Sequence, residues 1–193
     1  MNMRRAAFTV LLLVALVVPA FGADLAAGVK AYKSGDFDKA LVVFKELAAK
    51  GDAEAQTYLG DMHEQGEGVS FDFDEAAVWY KKGAEGGNVR AQYLLSIKYA
   101  VGSGVPQDNA LADKWLRLAA DKGLPEAQNS LGVVYYEGKS VPKDLVQALA
   151  WILKAEAKGF ADAKHNHGVF VENMTPEQVS AAYKLAGIAP PAK

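Results

Sequence analysis

Few side chains in this 193-residue sequence have the type and spacing for chemistry. His165 and His167 are two apart. On a helix that spacing turns them about 200° from each other, so they cannot grip one metal ion together. His63 stands alone and reads as a packed side chain. The close glycine pairs Gly66/Gly68 and Gly102/Gly104 suggest a phosphate cradle, but they recur at a fixed interval and read as turns. Trp79, Trp115 and Trp151 also recur, which favours shared core over a ligand cage. The sequence has no G-x-S-x-G, no Walker loop and no H-E-x-x-H. It has no cysteine, which removes disulfides, thiolate zinc sites and a cysteine nucleophile. No catalytic residue, metal or cofactor is expected, and the chain reads as a non-enzyme.

What would position such residues is a tandem repeat of period 36. Asp36, Asp72, Asp108 and Asp144 are followed, four residues on, by Ala40, Ala76, Ala112 and Ala148. Val43 and the three tryptophans come seven after each aspartate, and Gly51, Gly87, Gly123 and Gly159 come fifteen after. Then come Ala55, Ala91, Ala127 and Ala163. Leu59, Leu95 and Leu131 follow, and Gly60, Gly132 and Gly168 come one residue after the leucine slot. The spacing predicts two helices per unit. Each aspartate N-caps one helix, because its carboxylate can accept from free first-turn amides. The glycine fifteen residues on ends that helix in the left-handed region. A second helix starts near Ala55-Gln56, Ala91-Gln92 or Ala127-Gln128 and ends at Gly66, Gly102 or Gly138. Such a unit cannot bury its apolar face alone, so units must stack. The predicted fold is all-α, a right-handed α-solenoid of about four helix-turn-helix repeats.

These residues resemble the Sel-one-like repeat (SLR), a branch of the tetratricopeptide superfamily. The family pattern is A-x-x-x-L-G-x-x-Y-x-x-G-x-G-V-x-x-D-x-x-x-A-x-x-W-x-x-x-A-A-x-x-G. Ala91 to Gly123 matches it except at Ser96, and Ala127 to Gly159 except at Ser140 and Glu156. Ala55 to Gly87 carries His63 for the tyrosine and Gly83 for an alanine. The resemblance spans about Asp24 to Glu172. The first unit lacks the Gly-Val loop and reads as an ordinary tetratricopeptide repeat. Thr175-Pro176-Glu177-Gln178 starts a further helix with a capping box, read as a terminal cap. The domains are thus 1–23, 24–172 for the repeats, and 173–193 for the capping helix and a Pro-rich tail.

Residues 1–23 read as a secretory signal peptide. Arg4 and Arg5 precede the apolar run Phe8–Val18, and small residues suit a cut after Gly22 or Ala23. The run is short for a membrane span. An uncleaved anchor is the alternative, and no integral span remains after cleavage. The chain is therefore expected in the periplasm or outside the cell. Its formal net charge of −2 argues against a nucleic-acid partner.

The resemblance implies adaptors that hold protein or peptide partners, with the Ala-x-x-x-Leu-Gly helices lining a concave face. On that geometry one row of residues points away from the partner helix. It comprises Lys30 and Lys33; Thr57, Asp61 and Glu64; Tyr93 and Ile97; Asn129, Val133 and Tyr136; and His165, Val169 and Glu172. Its apolar middle suggests a peptide groove. Two other readings stand beside the scaffold. One is a small secreted hydrolase of the β-lactamase kind, although this chain lacks the paired cysteines of members linked to β-lactams. The other is a structural subunit of a larger envelope assembly.

Overall fold

The structure, a computed structural model, describes residues 24–191. The signal segment and its cut lie outside the described residues. Ten helices and no strands occur among the described residues. They are α1 (Leu25–Lys33), α2 (Phe37–Ala49), α3 (Ala53–Gln65), α4 (Phe73–Glu85), α5 (Val89–Val101), α6 (Asn109–Asp121), α7 (Pro125–Glu137), α8 (Leu145–Glu156), α9 (Ala161–Val171) and α10 (Pro176–Ala186). The odd-numbered helices α3, α5 and α7 carry Ala-x-x-x-Leu, and α9 keeps the alanine with His167 in the leucine slot. Each even-numbered helix from α2 to α8 packs on the odd helix before it and the odd helix after it.

The repeating aspartates cap as the spacing predicts. Asp72 accepts from the amides of Asp74 and Glu75, Asp108 from Leu111, and Asp144 from Val146 and Gln147. The odd helices begin two residues earlier than the Ala-Gln pairs suggest. Asp52 and Asn88 cap α3 and α5 by accepting from Ala55 and Ala91. The glycines Gly51, Gly87, Gly123 and Gly159 have φ between 80° and 91°, where a side chain would be strained.

Neighbouring units share their cores. Ala55, Leu59, Ala91, Leu95, Ala127 and Leu131 are fully buried. Trp79 packs on the core of the unit before it, and Trp115 and Trp151 do the same. The glutamine of each Ala-Gln pair adds a clasp. The Nε2 groups of Gln56, Gln92 and Gln128 donate to the carbonyls of Ala48, Ala84 and Ala120 at 3.1–3.2 Å. The same carbonyls accept from the amides of Gly51, Gly87 and Gly123, so each glutamine adds a second, buried bond at a helix end.

Helix α10 departs from the repeat. Its capping box is complete: Thr175 Oγ1 accepts from Gln178 N, and Gln178 Oε1 accepts from Thr175 N. The helix lies against α8, where Ala182 and Tyr183 cover Leu149, Ala150 and Leu153. The slot of Ala150 holds exposed Val42, Val78 and Lys114 in the earlier even helices. Helix α8 is therefore apolar on a face that its counterparts leave in water.

Candidate functional site

The inner odd helices α3, α5 and α7 each have an even helix on two sides and an odd helix beside them, and this changes how the predicted row reads. Each packs on its own even helix, on the even helix before it, and side by side with the next odd helix. The row lies at this last seam. Residues 37 apart meet across it. Tyr93 Oη and Ser130 Oγ are 3.3 Å apart, Asn166 donates to Asn129 at 2.8 Å, and Asn173 donates to Tyr136 Oη at 3.0 Å.

Two residues of the row are not on the surface. Thr57 is 2% exposed and Asp61 3%. Thr57 Oγ1 donates to its own helix at Ala53 and fits only because position 83 is glycine. Asp61 is sealed by α4 and α5. Glu64, Tyr93, Asn129, Val133 and Tyr136 are half-buried, while Lys30, Lys33, Ile97, His165, Val169 and Glu172 are exposed. The thirteen thus form no continuous exposed strip. His63 is half-buried in its tyrosine slot. His165 points to solvent, whereas His167 Nδ1 meets Glu156 at 2.6 Å and its Nε2 lies 3.4 Å from the Tyr183 hydroxyl.

Three complete seams can be compared slot by slot at the 36-residue spacing. The first, between α3 and α5 over α4, is filled by Tyr80. A Cβ on Gly60 would lie 2.5 Å from its ring, so only glycine admits it. The Tyr80 hydroxyl sits 2.9 Å from Asp61 Oδ1 and 2.6 Å from Glu64 Oε2. Arg90 grips Asp61 with two bonds of 2.6 and 3.0 Å, and Lys98 pairs with Glu64. Two carboxylates and two cations balance in this knot, with Asp61 and Lys98 buried and Arg90 at the surface. Burial pushes the Asp61 carboxyl above its ordinary range, against the opposing pull of Arg90 and Tyr80. Burial and the two carboxylates push the Tyr80 phenol up.

The third seam, between α7 and α9 over α8, is filled by hydrocarbon. Tyr136 stacks on Phe170 with centroids 4.1 Å apart and planes 4° from parallel. Gly132 again makes room, here for Ile152.

The middle seam, between α5 and α7 over α6, is open. Tyr80 is replaced by Leu116, Glu64 and Tyr136 by Ala100, and Lys98 and Phe170 by Val134. These short side chains leave a cleft of about 250 Å³. Ala112 and Leu116 form its floor, with Ile97, Ala100 and Val134 on its walls. Tyr93, Ser96, Ser130, Asn109, Asp113 and Ser140 supply the polar groups around it. Ser96 Oγ donates to Tyr93 O at 2.6 Å, and Ser140 Oγ to Asp113 Oδ1 at 3.3 Å. The sequence carried a signal for this place. Ser96 and Ser140 are two of the departures from the repeat pattern, and both line this one cleft.

The repeat can now be matched to known proteins. The Sel1 repeat profile matches residues 53–88, 89–124 and 125–160, more than half of the chain. The chain belongs to the Sel1 repeat family. Each Sel1 unit is one odd helix with the even helix that follows it, so the three seams join α3–α4, α5–α6, α7–α8 and α9 in turn. Sel1 repeat proteins are generally non-catalytic scaffolds for protein–protein interaction. The structure is similar to a Sel1 repeat protein from Oxalobacter formigenes, with a TM-score of 0.74 and 27% identity over 84% of this chain and 69% of that one. It is also similar to c5321, a protective antigen with an SLR fold present in uropathogenic Escherichia coli strains. That match has a TM-score of 0.51 and 26% identity over 82% of this chain, which spans 44% of that protein. No functionally curated protein matches the chain.

Proposed function

We propose that this Sel1 protein is a non-catalytic scaffold of the cell envelope, periplasmic or secreted, that holds a protein or peptide segment in its groove. The observation that carries the reading is the open middle seam. At the matching slots its neighbours are filled by Tyr80 or by the Tyr136 and Phe170 rings, and here the apolar walls face an unfilled cleft. A cleft preformed between packed helices loses little ordering entropy when it binds. Exposed Ile97 and Ala100 lie on its wall, so both can meet a partner without unfolding. The envelope address rests on the Arg4-Arg5 start, the apolar run and the small residues before Asp24.

The test is a crosslinked pull-down of the tagged chain from its own envelope fraction, beside an equally helical Ile97→Asp/Ala100→Asp variant. Partners held by the parent and lost from the variant support the reading. The same partners on both move the interface away from the middle seam, and no partner on either overturns the scaffold. Fractionation with N-terminal sequencing tests the address: a mature start at Ala23 or Asp24 supports it, and an intact Met1 in the cytoplasm sinks it.

A further inference from the structure

Resting on the reading of the middle seam as a binding cleft, we propose that the bound segment inserts one aromatic side chain there, with a basic residue beside it.

The molecule itself shows what the space accepts. The seam before it is closed by the ring of Tyr80, and the seam after it by the stacked rings of Tyr136 and Phe170. The slots that supply those rings hold Leu116, Ala100 and Val134 in the middle. The backbone frame is the same repeat, so the missing volume is ring-shaped. Its size agrees: a cavity of ~150 Å³ suffices for benzene, and this cleft measures about 250 Å³.

The walls of the cleft give a charged or strongly polar head no free partner: Ser96 is buried there, but its hydroxyl already donates to Tyr93 O. In the first seam the Tyr80 hydroxyl is met by Asp61 and Glu64. Their counterparts here are Ile97 and Ala100, which offer no hydrogen bond. A ring that enters between these walls therefore gains nothing from a hydroxyl, which favours phenylalanine over tyrosine. The rim has the opposite character. Asp113 is half-buried at the edge, accepts only the 3.3 Å bond from Ser140, and pairs with no cation of the described chain. The slot holds Ala77 and Leu149 in the neighbouring units, so the carboxylate is peculiar to this seam. A lysine or arginine next to the ring would answer it.

The probe is the peptide acetyl-Gly-Ser-Phe-Lys-Ser-Gly-amide, titrated into the full chain while the methyl resonances of Ala100 and Ala112 are followed. Matched peptides carry alanine for the phenylalanine or glutamate for the lysine. The expected result is movement of both methyls and a loss of about tenfold or more in affinity without the ring. The Ala100→Tyr/Val134→Phe variant copies the third seam into the middle and is expected to abolish binding. If that variant fails to fold, the exposed-rim change Asp113→Lys decides. It is expected to reverse a preference of about fivefold for lysine over glutamate beside the ring. Equal binding of the phenylalanine and alanine peptides overturns the proposal, as does an unchanged preference in Asp113→Lys. Native partners that remain on the filled variant would sink the aromatic insertion while sparing the scaffold. A parent that holds neither peptide nor native partner removes both.

Discussion

The first and middle seams are built from the same repeat, two odd helices over an even one, yet they solve opposite problems. The first buries a phenol, the Asp61 carboxylate and a lysine, with Glu64 half-buried beside them, and fills the space between units with a balanced polar knot. The middle places leucine, alanine and valine in the matching slots and leaves the space empty. A solenoid can therefore change one joint from a fastener to a binding place through a handful of side chains, the slots of Tyr80, Asp61, Glu64 and Lys98 foremost, on the same helical repeat. Position in the repeat decides what a residue touches, and residue size decides whether anything is left for a visitor.

The contrast can be broken by mutation. The largest difference is expected at one shared slot. Tyr80→Ala should cost about 3–5 kcal/mol, because it empties a filled joint and strands buried acids. Leu116→Ala should cost about 2 kcal/mol, since its cavity joins an existing opening. Urea titrations of the two variants check this, and equal losses would erase the distinction. The slot opposite comes next. Gly60→Ala drives a methyl into the Tyr80 ring and should cost about 1–3 kcal/mol. Ser96→Ala faces no such ring and should stay within about 0.5 kcal/mol by thermal unfolding.

Acidity sharpens the contrast further. The Asp61 carboxyl is held above its ordinary range, so the folded chain takes up this proton before the unfolded chain does. Through this group stability is highest below the ordinary aspartate value of about 3.9 and is lost as pH rises through the raised value. The stability of the parent relative to Asp61→Asn should therefore grow on acidification within that window, with a slope of at most about 1.4 kcal/mol per pH unit. Paired denaturation curves from pH 4 to 7 test it, and a flat or opposite trend refutes the buried-knot account. Both seams share the glutamine clasp, Gln92 on Ala84 and Gln128 on Ala120, so Gln92→Leu and Gln128→Leu should cost a similar amount, about 1 kcal/mol each. The smallest effect is expected at the rim. Lys122 Nζ donates to Gly87 O at 3.1 Å in an exposed setting. Lys122→Ala should change the unfolding midpoint by less than about 0.5 kcal/mol equivalent.

Much of the repeat was legible because its determinants are local. Asp36, Asp72, Asp108 and Asp144 cap helices within their own first turns, and Gly51 and its counterparts stop them one turn past the end. The tryptophans were legible as core from recurrence alone. The row through Thr57, Asp61 and Tyr93 was not, because Thr57 and Asp61 turn toward α4 of their own unit, at Gly83 and Tyr80, and Arg90 and Ser130 come from the next unit. Counting one partner helix leaves that face in water, whereas a stacked array gives every inner helix a neighbour on each side. The pairs Tyr93/Ser130, Asn129/Asn166 and Tyr136/Asn173 were visible as matched polar residues 37 apart. Reading them as contacts requires the stacking vector, which composition and periodicity do not contain. The α3 and α5 caps were missed for a simpler reason: Asp52 and Asn88 have no counterpart at Leu124 or Phe160, so they fall outside the repeating set.

Helix α10 also constrains how such a chain can lengthen. It is fitted to the apolar face of α8 formed by Val146, Leu149, Ala150 and Leu153, and no other even helix offers that face. A unit appended after α9 would displace α10 and expose the face to water. A unit duplicated between α2 and α7 would leave the α8–α10 contact untouched and inherit a ready joint at both ends. The architecture thus admits growth by copying from within, with α7 to α10 carried along as a finished terminus.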